Sequence, residues 1–127
     1  MEVDMKIGVI GAMKMEVETL KTAMENRTDT VVSGMEFSSG TFNGLETVVV
    51  QSGIGKVNAA VCAEILIQIF HVSHVLNTGI AGSLNNDLNI GDILVSNDAV
   101  YHDMDVLTLG YQQGGGSGDR NRGVPGG

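Results

Sequence analysis

A short stretch near the amino terminus constrains the fold more than any other part of the sequence. Residues 6–16 read KIGVIGAMKME, an apolar run that stops at Gly11 and passes at once into helix-forming residues. A strand that is apolar on both faces is typical of the centre of a parallel sheet. In open α/β sheets, ligands collect where the carboxyl ends of strands meet the amino ends of helices. The stretch therefore predicts an α/β fold with a site near Gly11, where Glu16 is the carboxylate of the first helical turn.

One helix and a three-stranded meander are predicted to follow. Apolar side chains recur at helical spacing over residues 13–26, with charged residues on the far side. Residues 29–51 then predict three strands, separated by turns at Gly34 and at the hairpin dipeptide of residues 43–44. We expect the consecutive valines at positions 48–50 to run through the centre of the sheet.

A second strand, glycine turn and helix occur in the middle of the chain. Residues 52–58 (SGIGKVN) form a glycine turn that opens a helix over about residues 56–70. This helix is apolar on nearly every side, which predicts burial on more than one side, with a partner subunit as one candidate. Residues 73–79 predict another central strand with a glycine break, and residues 92–96 predict a further strand.

The composition changes abruptly at residue 112. Residues 112–127 are mostly glycine and polar residues, and Val124 is the one branched aliphatic side chain among them. Such a segment cannot bury enough apolar surface to offset its ordering entropy. The sequence therefore predicts a domain over residues 1–111 and a disordered, Gly-rich tail over residues 112–127.

Charge limits the classes of partner. The formal net charge is −8 and no lysine or arginine cluster occurs, so we expect neither nucleic acid nor an anionic membrane as a partner. A small neutral or cationic ligand, or another protein, fits better. The amino terminus lacks an apolar signal region and no run approaches a membrane span, so we expect a cytoplasmic protein.

Cysteine and histidine offer little metal or thiol chemistry. Cys62 lies inside an apolar helical run and is interpreted as a small core residue. His71 and His74 are spaced for one helix end but lack a third ligand nearby. His102 and Asp103 would point to opposite faces of an extended segment. No metal site is predicted.

Three glycine turns form the candidate site. They lie at residue 11, at residues 53–55 and at residues 79–82, each after an apolar strand, and together they suit a nucleotide-sized ligand. A dinucleotide-binding alternative lacks both the G-x-G-x-x-G spacing and the acid about 20 residues further on. The residues alone leave two interpretations of Glu16: a helix-start acid stabilised by the helix dipole, or a general base that activates water.

Five segments in one order carry a family resemblance. They are residues 6–13 with Glu16, residues 52–57, residues 77–82, residues 91–93 and residues 101–106. Together they resemble the 5′-methylthioadenosine/S-adenosylhomocysteine nucleosidases of the nucleoside phosphorylase superfamily, over residues 5–113. The resemblance implies a three-layer αβα fold with a mixed central sheet, no cofactor, and a homodimer if the fold is complete.

The resemblance also implies a reaction and its residues. The reaction is hydrolysis of the N-glycosidic bond of an adenine nucleoside thioether, which releases adenine. Glu16 occupies the position of the acid that activates water. The substrate-binding positions are matched by Met13, Ile54, Ala81, Gly82, Val106 and Leu109, the last two in a segment that closes the alkylthio pocket of the neighbouring subunit.

The sequence also departs from the family pattern. Ile80 stands where some relatives carry serine, and Leu109 where phenylalanine is common. Family members are nearly twice as long, and their second half supplies the acid that protonates adenine. We therefore expect a truncated, weakly active or inactive chain, whose preference between the two nucleosides the sequence does not reveal.

Two alternatives stay open. A phosphorylase relative would need cationic phosphate ligands near the first glycine turn, where this sequence has no arginine and where Glu16 would repel phosphate. A non-catalytic fragment would only bind adenine nucleosides, or would pair with another subunit through residues 56–70 and 101–109.

Overall fold

The strands of the described residues form one mixed, five-stranded sheet. The computed structural model describes residues 4–101. The strands are β1 (Lys6–Gly11), β2 (Glu25–Val32), β3 (Met35–Phe42), β4 (Leu45–Gln51) and β5 (His74–Thr78), and the helices are α1 (Lys14–Ala23) and α2 (Lys56–Gln68). The sheet order is β2-β3-β4-β1-β5. Strand β1 pairs in parallel with β4 and β5, while β3 pairs antiparallel with β2 and β4. The α/β class and the mixed sheet are confirmed.

Each face of the sheet has its own apolar core. On one face, Val9 and Val49 pack with Val17 of α1. On the other, residues such as Val48 and Val50 pack with the buried side of α2, which consists of Cys62, Ile65 and Leu66. Because successive residues of a strand point to opposite faces, the valine run at 48–50 supplies both cores and is fully buried. This gives the three layers that the resemblance implies.

Cys62 is confirmed as a core residue. Its side chain is fully buried in the core beneath α2. Burial disfavours the thiolate and raises the pKa of Cys62 to about 11. The side chain therefore remains a neutral thiol near neutral pH and acts as a small apolar group.

The two hairpins of the meander use the same turn. Ser33 and Gly34 have φ values of 51° and 77°, and Asn43 and Gly44 have values of 48° and 78°. Two central residues with positive φ are the signature of the type I′ turn, whose twist matches that of paired strands. Both turns predicted from the sequence are confirmed.

The end of the first helix was predicted incorrectly. Helix α1 ends at Ala23, and β2 begins at Glu25 inside the segment predicted as helical. Met24 adopts an extended conformation and is buried in the core beneath α1, and Asn26 has φ 53°. Pairing of β2 with β3 supplies backbone hydrogen bonds to this segment, and that tertiary pairing overrides the helical periodicity.

The second half of the described chain differs from two sequence expectations. Strand β5 was expected to be central, but within residues 4–101 it lies at the sheet edge, and all five of its residues are exposed. The strand expected at residues 92–96 is absent. An apolar run favours an extended backbone, but a strand also needs a neighbouring backbone to pair with, and a local pattern cannot supply one.

The chain divides after Gly82 into two units. In the second unit, the described residues 83–101 form no helix or strand, and local turns organise them. The Asn89 N–H donates to Oδ2 of Asp92 at 2.8 Å, and the Asp92 N–H donates to the Asn89 carbonyl at 3.1 Å.

The boundary predicted at residue 112 lies outside the described residues and stays a prediction. Among the residues that the structure describes, no helix has the length and apolar character of a membrane span.

A charged network ties β2 to β3. The Arg27 guanidinium donates to both carboxylate oxygens of Asp29, at 2.8 and 3.1 Å. The buried Ser38 hydroxyl donates to the same carboxylate at 2.7 Å. The bonds from Arg27 and then Ser38 favour the ionised form and hold the pKa of Asp29 below its usual value.

Acid sensitivity follows from this network. The pKa of Asp29 is lower in the folded state than in the unfolded state, so ionised Asp29 stabilises the fold. This contribution is fully present above the pKa of the unfolded state, about 4, and is lost as the pH falls from there through the pKa of the folded state. We expect Asp29→Asn to lower the urea midpoint at neutral pH and to flatten its decline between about pH 5 and about pH 3. The exposed Asp87→Asn is the matched control, and an equally steep decline in the Asp29 variant would contradict the assignment.

Candidate functional site

Three strands end together at one edge of the sheet. Gly11, the last residue of β1, lies opposite Gln51 of β4 and Thr78 of β5. Since all three strands run parallel, the turns that follow them meet at this carboxyl edge. The Ser52 N–H donates to the Gly11 carbonyl at 2.9 Å and joins two of the turns directly. The convergence expected from the glycine turns is confirmed.

Glu16 caps the helix that follows the first turn. It is the third residue of α1, and its Oε2 accepts a hydrogen bond from the Met13 N–H at 2.8 Å. The Glu16 N–H in turn donates to the Met13 carbonyl at 3.1 Å. A glutamate at this position that reaches back to the residue before the helix satisfies an otherwise unpaired N–H group. One of the two carboxylate oxygens of Glu16 therefore caps the start of α1.

The second oxygen of Glu16 faces the turn after β5. A Cβ built on Gly79 would lie 3.0 Å from Oε1 of Glu16, and one built on Gly11 would lie 3.4 Å from Oε2. The carboxylate therefore lies between the ends of β1 and β5, half-buried, against two residues without side chains. Within residues 4–101, no group donates a hydrogen bond to Oε1. One oxygen is fixed by the cap, and the other can accept a proton from a water molecule.

The space beside Oε1 gives a testable prediction. Alanine at position 79 would bring a methyl group within 3.0 Å of Oε1, so the carboxylate must shift by a few tenths of an ångström. We expect Gly79→Ala to lower any hydrolysis that depends on the Glu16 carboxylate about tenfold while leaving the thermal midpoint nearly unchanged, because the misplaced group is one side chain. Ser39→Ala is the control, since Ser39 lies on β3 and has no assigned role in the candidate site. Equal rates in both variants would contradict the assignment.

Of the remaining sequence-predicted residues, some lie at this edge of the sheet and others lie outside the described residues. Met13 contacts Glu16 through its backbone N–H. Ile54 follows β4 at the same edge and is 77% exposed. Ala81 and Gly82 follow β5 and are exposed as well. Val106 and Leu109, like His102, Asp103 and Asp105, lie outside the described residues. The substrate-binding roles of these residues stay predictions.

Sequence reasoning missed three residues that shape this edge. Gly79 was assigned to the third glycine turn, but the space that it leaves for the Glu16 carboxylate was not predicted. Ser52 and Asn58 hold the second glycine turn through side-chain hydrogen bonds to the carbonyls of Gly53 and Ile54. The spacing offered a signal for Asn58, because a side chain four residues after a carbonyl at a helix start can reach back to it.

A cavity of about 470 Å³ lies between α1 and the start of β3, and Gln51, Ser52 and Gly53 at the second glycine turn also line it. Glu16 is not among its lining residues. Its cations have acidic partners within 4 Å: Lys14 with Glu18, Lys21 with Glu36, and Arg27 with Asp29. Paired cations attract a phosphate group weakly, so this cavity is a poor anion site.

Metal-binding groups are sparse in the described part of the chain. No set of three or more histidine, cysteine or acidic side chains there could hold a metal ion. His71 lies after α2 with φ 56°. The His74 Nδ1 atom lies 2.9 Å from the Ser73 hydroxyl. The two histidines therefore have separate local surroundings.

Comparison with known proteins adds independent information. The family model of the phosphorylase superfamily matches residues 6–125. A 5′-methylthioadenosine/S-adenosylhomocysteine nucleosidase from Geobacillus sp. (strain WCH70) is 47% identical over 110 residues, which cover 87% of this chain and 47% of the relative. The enzyme of that name from Shewanella piezotolerans is 46% identical over 110 residues, which cover 87% of this chain and 48% of the relative.

Solved structures show the same fold. The nucleosidase from Colwellia psychrerythraea 34H, in complex with adenine, superposes with a TM-score of 0.87 at 44% identity, over 91% of this chain and 48% of that one. The Streptococcus pneumoniae nucleosidase with a transition-state inhibitor superposes with a TM-score of 0.85 at 39% identity, over 89% of this chain and 49% of that one. The resemblance stated from the motifs is confirmed. The chain spans about half the length of the curated relatives it matches.

Proposed function

Since this chain belongs to the phosphorylase superfamily, we propose that it supplies the water-activating half of a nucleosidase active site. The proposed reaction is hydrolysis of the N-glycosidic bond of 5′-methylthioadenosine and S-adenosylhomocysteine. The relatives with 46–47% identity carry this activity in their names, and one similar structure holds adenine. Adenine nucleoside thioethers are therefore the substrate class that the comparisons favour.

The position of Glu16 carries the proposal. Its carboxylate is held at the strand ends by the Met13 N–H, and Oε1 is left without a donor among residues 4–101. In the proposed step, Oε1 accepts a proton from water as the water oxygen bonds to the anomeric carbon of the ribose. The bond from that carbon to the adenine nitrogen breaks, and its electron pair leaves with adenine. A second group must protonate the departing base.

The substrate would lie across the three glycine turns. We assign Met13 and Ile54 to the ribose side of the site, and Ala81 and Gly82 to the turn beside the base and ribose. These residues follow β1, β4 and β5 at the edge where Glu16 lies. In a homodimer, Val106 and Leu109 would reach the alkylthio group bound by the neighbouring subunit.

Hydrolysis is favoured over phosphorolysis by the charges around Glu16. Lys14 is the cation of the first turn of α1, and its ammonium group pairs with Glu18 at 3.7 Å. Gly11, Ala12 and Met13 bring no cation to the strand end. A phosphate dianion beside the Glu16 carboxylate would therefore be repelled, whereas a neutral water molecule would not.

Helix α2 supports the proposed homodimer. Its buried side packs on the sheet, but apolar side chains on its other side are exposed: Val57 by 77%, Val61 by 42% and Ile67 by 46%. An amphipathic surface helix would carry polar residues at these positions. A second copy of the chain is the partner that we propose for this surface.

An adenine-release assay tests the proposed function. The purified chain is incubated with 5′-methylthioadenosine, with and without phosphate, and free adenine is measured by chromatography. Phosphate-independent adenine release supports hydrolysis. Release that depends on phosphate would favour a phosphorylase, and binding without release would favour a nucleoside-binding fragment. If the chain neither binds the nucleoside nor releases adenine, the proposal is overturned.

A further inference from the structure

The second glycine turn is held from both ends by side chains that the sequence comparison did not assign. The Ser52 hydroxyl donates to the Gly53 carbonyl at 2.8 Å. The Asn58 amide donates to the Ile54 carbonyl at 2.8 Å. The next carbonyl, that of Gly55, accepts the Ala59 N–H at 3.1 Å. Three consecutive carbonyls of the turn are thus bound by the protein itself.

Peptide geometry determines where the N–H groups of the turn point. In a planar trans peptide, the C=O of one residue and the N–H of the next point in opposite directions. Because the Gly53 and Ile54 carbonyls point at Ser52 and Asn58, the N–H groups of Ile54 and Gly55 point away from those side chains. Neither N–H group donates to an acceptor within the described part of the chain.

The turn also needs its two glycines in this conformation. Gly53 and Gly55 have φ values of 86° and 105°, a region that other residues rarely adopt. A Cβ on Gly53 would lie 3.2 Å from the Asn58 amide nitrogen. Glycine permits many other conformations as well, so the side chains of Ser52 and Asn58 select this one.

Ser52 further couples this turn to the first one. It is 5% exposed, its N–H donates to the Gly11 carbonyl at 2.9 Å, and its hydroxyl lies 3.5 Å from that carbonyl. Gly11 lies against Glu16. One buried residue therefore sets the distance between the turn that carries Ile54 and the strand end beside the proposed base.

We infer that Ser52 and Asn58 are positioning residues for the nucleoside: they hold the turn of residues 53–55 in the shape that presents Ile54 and the adjacent N–H groups to the ligand. The inference rests on the proposed function. It deepens that function, because it assigns the preformed shape of the turn to two side chains that need not touch the substrate.

Asn58→Asp is the discriminating variant. Aspartate has nearly the same shape but cannot donate to the Ile54 carbonyl, and a carboxylate in the first turn of a helix favours that helix. The loss of the donor is therefore not confounded with unfolding of α2. Ser52→Ala removes the other hydrogen bond but keeps the backbone N–H. Gln68→Glu, which makes the same charge change in the last turn of α2, and Ser39→Ala are the matched controls.

The test measures methylthioadenosine affinity of the full chain by ligand-observed NMR, with amide spectra and thermal midpoints recorded alongside. We expect Asn58→Asp and Ser52→Ala each to weaken binding about fivefold to tenfold, the size of one hydrogen bond, with both controls within about twofold of wild type. The Gly55 amide resonance should shift in Asn58→Asp, and the Val9 resonance should not.

Two outcomes would overturn the inference, and they differ. If the wild-type chain binds the nucleoside and both variants bind it equally well, the positioning role is wrong and the proposed function stands. If the wild-type chain does not bind the nucleoside, the proposed function fails and the positioning role fails with it.

Discussion

Glu16→Gln is expected to lower the weak adenine release of the wild-type chain by about 100-fold or more, the usual contribution of a positioned general base. Glutamine keeps the size of the side chain, and its amide oxygen can still accept the Met13 N–H that the Oε2 atom accepts now. The helix cap therefore survives, while the amide cannot take a proton from water. Chromatography of free adenine measures the rate, and methylthioadenosine binding shows that the site remains formed.

The controls separate catalysis from stability. Glu18→Gln makes the same change two residues away, where the carboxylate is exposed and pairs, among residues 4–101, with Lys14 alone. Its adenine release should match that of the wild type. Glu16→Ala should lose both the base and the cap, so it should also lower the thermal midpoint. Unchanged adenine release in Glu16→Gln would remove Glu16 from the proposed mechanism.

Phe37→Ala is expected to cost the largest amount of stability, about 3–5 kcal/mol of unfolding free energy. The Phe37 side chain is fully buried, and its ring stacks on that of Phe70 with the centroids 4.9 Å apart. Removal of the ring would leave a cavity between β3 and the segment after α2. Because native domains have about 5–15 kcal/mol of stability in total, this loss is a large fraction of it. Urea unfolding, monitored by circular dichroism, measures the change.

A second phenylalanine on the same strand provides the comparison. Phe42 is partly buried and packs beside the other core, on the α1 face of the sheet. Phe42→Ala should therefore cost less than Phe37→Ala, since less apolar surface leaves water there on folding. Equal losses in the two variants would contradict the assignment of Phe37 to the centre of the larger core.

Patterns in the chain were enough to predict the elements that line the site. The apolar run at 6–11, the valines at 48–50 and the three glycine turns predicted the strands β1 and β4 and the common edge. Hairpin chemistry at residues 43–44 predicted a turn correctly because positive φ is a local property. The ordered motifs also predicted the family, which the family model confirms.

Elements that depend on a distant partner were predicted less well. The helical pattern at residues 13–26 extends past Ala23, yet β2 begins at Glu25 because β3 offers it hydrogen bonds. The run at 92–96 has the composition of a strand but has none of its pairing in the described residues. Strand pairing is decided by sequence segments far apart in the chain, which a window of a few residues does not contain.

The same distinction applies to the strand-to-helix stretch at residues 6–16. Local spacing was enough to predict that a strand ends at Gly11, that a helix begins beside it, and that Glu16 lies in the first turn of that helix. The sequence left the role of Glu16 open between a helix-start acid stabilised by the helix dipole and a general base that activates water. The hydrogen bond from the Met13 N–H to Oε2 is local, whereas the approach of Gly79 to Oε1 depends on the tertiary structure. Parallel pairing of β1 and β5 brings Gly79 beside a residue 63 positions earlier in the chain, which a local pattern does not predict.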